Sequence, residues 1–354
     1  MRPRSSLRLA MVAPPCLPVP PRGYGGTELV IAELVDGLSA LGVEVTLFAA
    51  PGSRGGFQGR CEVVSPLSRA IWPPRVDAEV LHCRRAAALI ARDGRFDLVH
   101  AHCPAMADFA HWLGAPLVLS VHHALGRDGA SPRVHHAFVS QSQREQWSRS
   151  ARGEVIHHGL SARRYPLGRG DGGYAAFLGR FSAQKGLHHA IDASARAGLE
   201  LHAAGSMHPE DRTYFAAELA KRLRLPHVRA LGEVDHAGKL ALLRGAVALC
   251  FPIAWEEPFG LAMLEAMLCG TPVLAFPRGA AVEVVDDGVT GFLVDSPREL
   301  AHALKRLAVH GFDRLRCREQ AMARFGRDAM VARHLALYTR ALETARTRSI
   351  LAQP

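Results

Sequence analysis

Residues 255–275 read Trp-Glu-Glu-Pro-Phe-Gly-Leu-Ala-Met-Leu-Glu-Ala-Met-Leu-Cys-Gly-Thr-Pro-Val-Leu-Ala, and no other stretch of the chain says as much. Glu257 and Glu265 stand eight apart, and Pro258-Phe259-Gly260 between them turns the chain out of the apolar run Val247–Phe251 into a helix. A helix start offers unpaired amide donors and a positive dipole end, which suit a phosphate. A carboxylate further along accepts hydrogen bonds from vicinal hydroxyls such as those of a ribose. The plain alternative is a capped amphipathic helix with surface acids, and only the context of the spacing decides against it.

Upstream, Phe177-Leu178-Gly179-Arg180-Phe181-Ser182-Ala183-Gln184-Lys185-Gly186 closes another strand. Arg180 and Lys185 flank a turn that leads into a helix, so two cations and a helix amino terminus converge where a diphosphate would lie. Near the amino terminus, Pro20-Pro21-Arg22-Gly23-Tyr24-Gly25-Gly26-Thr27-Glu28 follows a first strand and enters the helix Glu28–Leu41. Val30, Leu34, Leu38 and Leu41 give that helix an apolar stripe. Gly25 and Gly26 let bare backbone approach a phosphate or a sugar. A dinucleotide fingerprint fails here: Glu28 stands where its third glycine belongs, and Pro51-Gly52-Ser53-Arg54 supplies no acid for a ribose.

Short apolar runs alternate with amphipathic stretches throughout, the sequence form of parallel α/β layers. The first half predicts strands at Leu7–Ala13, Val43–Ala49, Asp97–Ala101, Pro116–Val121, Ala137–Ser140 and Val155–His157. The second predicts Tyr174–Leu178, Leu199–Ala204, His227–Leu231, Val247–Phe251, Val273–Phe276 and Phe292–Val294. Six and six imply two Rossmann-like sheets, with the glycine-dense run Gly168–Gly173 as a hinge between domains 1–167 and 168–328 and a final helix in 329–354. Ligands of such sheets bind at the carboxyl ends of the strands, here expected to face a central cleft.

A chain of 354 residues, 48% hydrophobic, suffices for two cores. No apolar run approaches the roughly 20 residues of a membrane span, and Leu7–Ala13 reads as a buried strand in place of a signal peptide. Seven scattered cysteines without a Cys-x-x-Cys pair fit a reducing, cytoplasmic setting. The net charge of +10 is spread out, without the basic and aromatic alternation of single-strand binders, so nucleic acid is not expected. The densest basic stretch, Arg144–Arg152, reads as a solvated helix face; a weak peripheral contact with the inner membrane face is the other partner it allows.

Among 19 histidines one stands out. Pro116-Leu117-Val118-Leu119-Ser120-Val121-His122 is a buried strand that delivers an imidazole at its carboxyl end, although His123 follows and competes for that role. His100 and His102 sit at another strand end as supporting or core partners, and a metal at His-x-His lacks a third ligand nearby.

Glu257-Pro-Phe-Gly-Leu with Glu265 and the Cys-Gly-Thr-Pro-Val exit resembles the Glu-x7-Glu signature of retaining glycosyltransferases of family 4, whose architecture is GT-B. Gly-Tyr-Gly-Gly-Thr-Glu is similar to the family's amino-terminal loop, Gly179-Arg180 with Lys185-Gly186 to its diphosphate grip, and Ser120-Val121-His122 to its Thr-x-His. The match spans about residues 7 to 335. His158 and Ser161 depart from the family's Asn-Gly-Ile-Asp turn. The resemblance implies transfer of a sugar from a nucleoside diphosphate donor to a hydroxyl of a glycan, lipid-linked or small-molecule acceptor, with retention and without metal or other cofactor. It assigns Glu265 to the ribose, the Gly260 and Leu261 amides, Arg180 and Lys185 to the diphosphate, Gly25 and Gly26 to the donor, and Glu257 and His122, as the catalytic residues, to the transferred sugar. Phe259 shapes the turn and packs on that sugar, and the carboxy-terminal helix crosses back to the first domain. An epimerase or phosphorylase on the same scaffold, or a non-catalytic nucleotide-sugar-binding subunit, are the rival functions.

Overall fold

The computed structural model describes residues 6–58, 61–122, 134–147 and 153–351; His123 and the basic positions Arg149 and Arg152 lie outside them. The chain divides into two compact units, residues 1–159 with 327–354, and residues 160–326.

The first unit runs β1 (Arg8–Val12), α1 (Gly26–Ala40), β2 (Glu44–Phe48), β3 (Glu62–Val64), α2 (Val76–Asp93), β4 (Leu98–Ala101), β5 (Leu117–Val121), β6 (Val134–Phe138), α3 (Gln141–Gln146) and β7 (Gly153–Val155). Its strands form one sheet in the order β3-β2-β1-β4-β5-β6-β7, every pairing parallel. The second unit runs β8 (Tyr174–Leu178), α4 (Leu187–Ala197), β9 (Glu200–Ala204), the single turn α5 (Arg212–Tyr214), β10 (Val228–Gly232), α6 (His236–Gly245), β11 (Leu249–Phe251), α7 (Leu261–Leu268), β12 (Val273–Ala275), α8 (Ala281–Val284), β13 (Gly291–Leu293), α9 (Pro297–His310) and α10 (Arg314–Phe325). Here the order is β10-β9-β8-β11-β12-β13, again all parallel.

Both sheets are Rossmann-like, seven strands and six where the sequence pattern gives six and six. The added strand, β3, is a three-residue edge strand that starts on exposed Glu62 and is only half-buried beyond it, too short to show as an apolar run. In each sheet the order reverses beside the first strand, at β1/β4 and at β8/β11, and ligand crevices of open α/β sheets form there at the carboxyl ends.

Helix α9 shows how local sequence sets the elements. Ser296 caps it by accepting from the Glu299 amide at 3.2 Å, Glu299 reaches back to the Asp295 amide at 2.9 Å, and Pro297 opens the first turn. Leu300, Leu304 and Leu307 then bury one face in the core built on Phe177, Leu187, Ile191, Leu201 and Leu274, each side chain contributing about 1.5–3 kcal/mol.

Helix α1 departs from its expected stripe. It is buried from Glu28 to Leu38, on both faces, whereas Leu41 lies beyond its end and is 64% exposed. The cause is the last helix, α11 (Arg327–Leu351), which belongs to the first unit and packs across α1. A Cβ on Gly37 would lie 2.4 Å from Val331 Cγ2, so the two helices meet at the glycine. Arg340 of α11 pairs with Glu154 of β7. The glycine-dense run 168–173 lies inside the second unit, tied by Gly168 N–H to the Cys269 carbonyl and by Gly170 and Gly172 N–H to those of Arg244 and Gly245.

Candidate active site

In the second unit the loops after β8 and β11, neighbours at the strand reversal, bring Lys185 and Glu257 together. Lys185 Nζ lies 2.5 Å from Glu257 Oε2, and the Trp255 indole N–H donates to the same oxygen at 2.8 Å. The ammonium also sits 5.3 Å from the Trp255 ring centroid and 5.8 Å from that of Phe251. Gly186 permits the approach: its φ is +69°, and a Cβ there would lie 2.0 Å from the Pro252 carbonyl oxygen. Gly279 does the same on the other flank, with φ +55° and a virtual Cβ 2.2 Å from the Glu257 nitrogen. Its N–H donates to Glu256 Oε2 at 2.7 Å, and the Ala280 N–H to the Glu257 carbonyl at 2.8 Å.

Glu265, on α7, is 4% exposed. Lys239 of α6 meets its Oε1 at 2.5 Å, and the fully buried Tyr165 donates its hydroxyl to that oxygen at 2.9 Å. Both glutamates of the Glu-x7-Glu pair therefore carry a lysine and a second donor on one carboxylate oxygen, and none of these contacts uses the other. Gly260 is the N-cap of α7, which no side chain caps, and Leu261 is its first residue. Phe259 is 2% exposed and meets Phe325 edge to face at 5.7 Å, so it holds the turn from the core side.

Arg180 and Lys185 are both at the end of β8 but have separate partners. Arg180 bonds Glu210 at 3.0 Å, lies 3.3 Å from Asp211 and reaches Gln184 at 3.4 Å. In this state each cation is neutralised by protein carboxylates, which a bound diphosphate would have to replace.

In the first unit Gly25 caps α1 and Gly26 begins it, with the Leu29 N–H on the Gly25 carbonyl at 3.0 Å. Glu28 is buried beneath this loop, and desolvation lifts its carboxyl to about 7.

The carboxyl ends of β4 and β5 assemble a histidine cluster. His102 Nδ1 and His122 Nε2 are 2.8 Å apart. His100 engages Ser120 Oγ at 2.8 Å and Tyr338 Oη of α11 at 2.7 Å. His122 also stacks on His158 at 5.2 Å, which gives a place to the histidine that stands where the family wording has asparagine. Burial first, and the neighbouring imidazoles second, hold His100, His102 and His158 well below the usual histidine range. Among the described residues no three His, Cys, Asp or Glu side chains are arranged to hold a metal ion.

Reading the sequence missed Lys239 and Tyr165: nothing in Asp-His-Ala-Gly-Lys or Arg-Arg-Tyr-Pro marks either. Trp255 directly precedes the quoted acids, and an indole there was a usable signal.

Two family models adjoin on this chain, Glycosyltransferase Family 4 over residues 24–163 and Glycosyl transferases group 1 over residues 164–324. The chain belongs to the family 4 glycosyltransferases. It is 28% identical to the phosphatidyl-myo-inositol mannosyltransferase of Mycobacterium leprae, a match covering 88% of this chain and 89% of that protein. Among solved structures it is similar to AviGT4, a glycosyltransferase involved in avilamycin A biosynthesis, with TM-score 0.75, 24% identity and coverage of 95% and 98%. It is also similar to Anabaena HepE in complex with UDP and glucose, with TM-score 0.71, 20% identity and coverage of 94% and 99%. The fold is GT-B, and the protein is a sugar-transferring enzyme. No described helix of this glycosyltransferase is long and apolar enough to cross a membrane.

Proposed function

We propose that this glycosyltransferase takes its sugar from a nucleoside diphosphate donor and passes it to an acceptor hydroxyl with retention of anomeric configuration, without a metal ion. The observation that carries this is the doubled arrangement on α7 and the loop before it: Glu257 with Lys185 and Trp255, Glu265 with Lys239 and Tyr165. One oxygen of each carboxylate is oriented by protein donors, and the other serves ligand hydroxyls, those of the sugar at Glu257 and of the ribose at Glu265. Lys185, Arg180 and the Gly260 and Leu261 amides receive the diphosphate, supplying the charge that a metal supplies elsewhere. The similar HepE fold bound to UDP and glucose supports a nucleotide sugar as donor.

The roles assigned to the described groups support retention. Inversion needs a base on the acceptor side, opposite the leaving diphosphate. Glu257 and Glu265 are committed to the donor, and His122 is assigned to a hydroxyl of the transferred sugar. The leaving phosphate oxygen then takes the acceptor proton, with attack on the face it vacates.

The test starts from a thermal-shift screen of UDP- and GDP-sugars, since a ligand of the folded state raises apparent stability. Slow hydrolysis of the best α-linked donor, in EDTA, is then followed by NMR. First-formed α-sugar is expected; first-formed β-sugar overturns retention, and turnover that requires added magnesium or manganese overturns the metal-free mechanism.

A further inference from the structure

His102 and His122 share one hydrogen bond, Nδ1 to Nε2 at 2.8 Å, and the proton in it belongs to one ring or the other. His102 is 2% exposed, and its Nε2 finds no hydrogen-bond partner among the described residues. His100, whose ring centroid is 4.3 Å away, cannot supply one, because both its nitrogens are engaged by Ser120 and Tyr338.

If His122 donated through Nε2, neutral His102 would accept on Nδ1 and carry its own proton on Nε2, a buried N–H with nothing to bond. Orphaned buried N–H groups are rarer in folded proteins than under-satisfied acceptors. With the opposite polarity His102 donates through Nδ1–H and leaves Nε2 bare. His122 then accepts on Nε2 and, being neutral, has its proton on Nδ1. A cationic His122 would need to donate from Nε2, so the same orphan opposes it. Burial holds His102 neutral as well.

We infer that His102 is a positioning residue that fixes His122 as the neutral Nδ1–H tautomer, an inference that rests for its catalytic consequence on the reading of His122 as a sugar-contacting group. So held, His122 has no lone pair for a substrate proton, its only bare nitrogen being occupied by His102. In that tautomer Nδ1 can only donate, which matches the reading of His122 as a contact to a hydroxyl oxygen of the transferred sugar. This explains how an imidazole at a strand end stays out of the base role that would compete with same-face attack.

The experiment is a two-bond 1H–15N correlation on the ligand-free full chain labelled at histidine, with His122 identified by its loss in His122→Gln. The expected signature is Nδ1-protonated and unchanged between about pH 6 and 8. An Nε2-protonated signature, or ordinary imidazolium titration at His122, overturns the inference. His102→Asn, whose amide nitrogen replaces Nδ1 as donor, should keep the signature and hold donor hydrolysis within about threefold. His102→Phe should release His122 to the Nε2–H form and slow hydrolysis about tenfold with little change in KM. Two substituted proteins with unchanged His122 signals remove the positioning role. Should His102→Phe fail to fold, the wild-type and His102→Asn spectra still decide. Full turnover in His122→Gln would remove His122 from the sugar site while leaving its tautomer as inferred.

Discussion

The two units solve the burial of polar groups at their strand ends in opposite ways. In the second, carboxylates at the β8/β11 reversal are each matched by a lysine: Glu257 by Lys185, Glu265 by Lys239. In the first, burial holds the imidazoles of His100 and His102 at the end of β4 well below the usual histidine range, and a hydrogen bond and stacking join His102 to His122 at the end of β5. On the proposed reading a charge-matched site is primed for exchange, because an incoming diphosphate would replace one anionic partner with another. A neutral cluster is primed for fixed geometry and fixed protonation. The substitutions below should therefore act on ligand binding in one unit and on pH behaviour in the other.

The largest effect should come from Glu257→Gln. The amide keeps the size and an acceptor for the Trp255 N–H, so the fold should persist. Turnover should fall about 10²–10³-fold, roughly 3–4 kcal/mol, if the carboxylate stabilises positive charge that develops on the sugar in the transition state. Affinity for the sugar-free nucleoside diphosphate should hold or rise, since Lys185 loses its internal competitor. Calorimetry on the diphosphate together with initial rates checks both signs; a parallel loss of binding and rate would make Glu257 a scaffold for Lys185 only.

Lys185→Ala should weaken nucleoside diphosphate binding about tenfold to hundredfold, or about 1.5–3 kcal/mol for a charge-assisted contact. Pyrophosphate alone should lose affinity in parallel, because the contact is to phosphate. Unchanged titrations would take Lys185 out of the grip and leave Arg180 as its cation.

In the first unit the expected response is to acid. Burial drives His82 and His334 down to about 4 from 6.5. Such bases contribute fully above pH 6.5 and lose that contribution as pH falls towards 4, about 1.4 kcal/mol each between pH ~8 and ~5.5. Glu28 works the other way. Its folded value of about 7 exceeds the ordinary 4.5, so it favours the fold when protonated, and that contribution is lost as pH rises through about 7. Glu28→Gln should therefore stabilise the protein at pH ~8 and steepen its loss towards pH ~5.5 by about 2 kcal/mol. Urea unfolding at the two pH values reads this directly, and an unchanged slope would place Glu28 in water.

The fold was legible where burial makes apolar runs, which is why twelve of the thirteen described strands show in the sequence, β6 and β7 placed two or three residues late, and the half-buried edge strand β3 does not. The helix entrance at Gly260 and the glycine turn at Gly186 were legible because such turns need particular residues at fixed spacing. What stayed hidden was partner choice. Arg180 and Lys185 look alike in sequence, yet one folds onto Glu210 and the other onto Glu257. Similarly, α1 gave no sign that a helix some 300 residues later would cover its outer face. Tertiary partners of polar side chains follow from chain crossings, and periodicity does not encode those.

The smallest effect separates the two lysine-carboxylate pairs. Tyr165→Phe removes one of two donors from Glu265 Oε1 and leaves both the buried ring and Lys239 in place. The lost hydrogen bond is worth about 1 kcal/mol, so nucleoside diphosphate binding should weaken roughly threefold to tenfold. If Glu265 holds the ribose, pyrophosphate binding should not change, in contrast to Lys185→Ala, which lowers both. Lys239→Met should exceed Tyr165→Phe, because it leaves a carboxylate only 4% exposed without its cation. Equal losses for the nucleoside diphosphate and for pyrophosphate in Tyr165→Phe would mean that Glu265 shapes α7 and the phosphate subsite, and the ribose would need another partner.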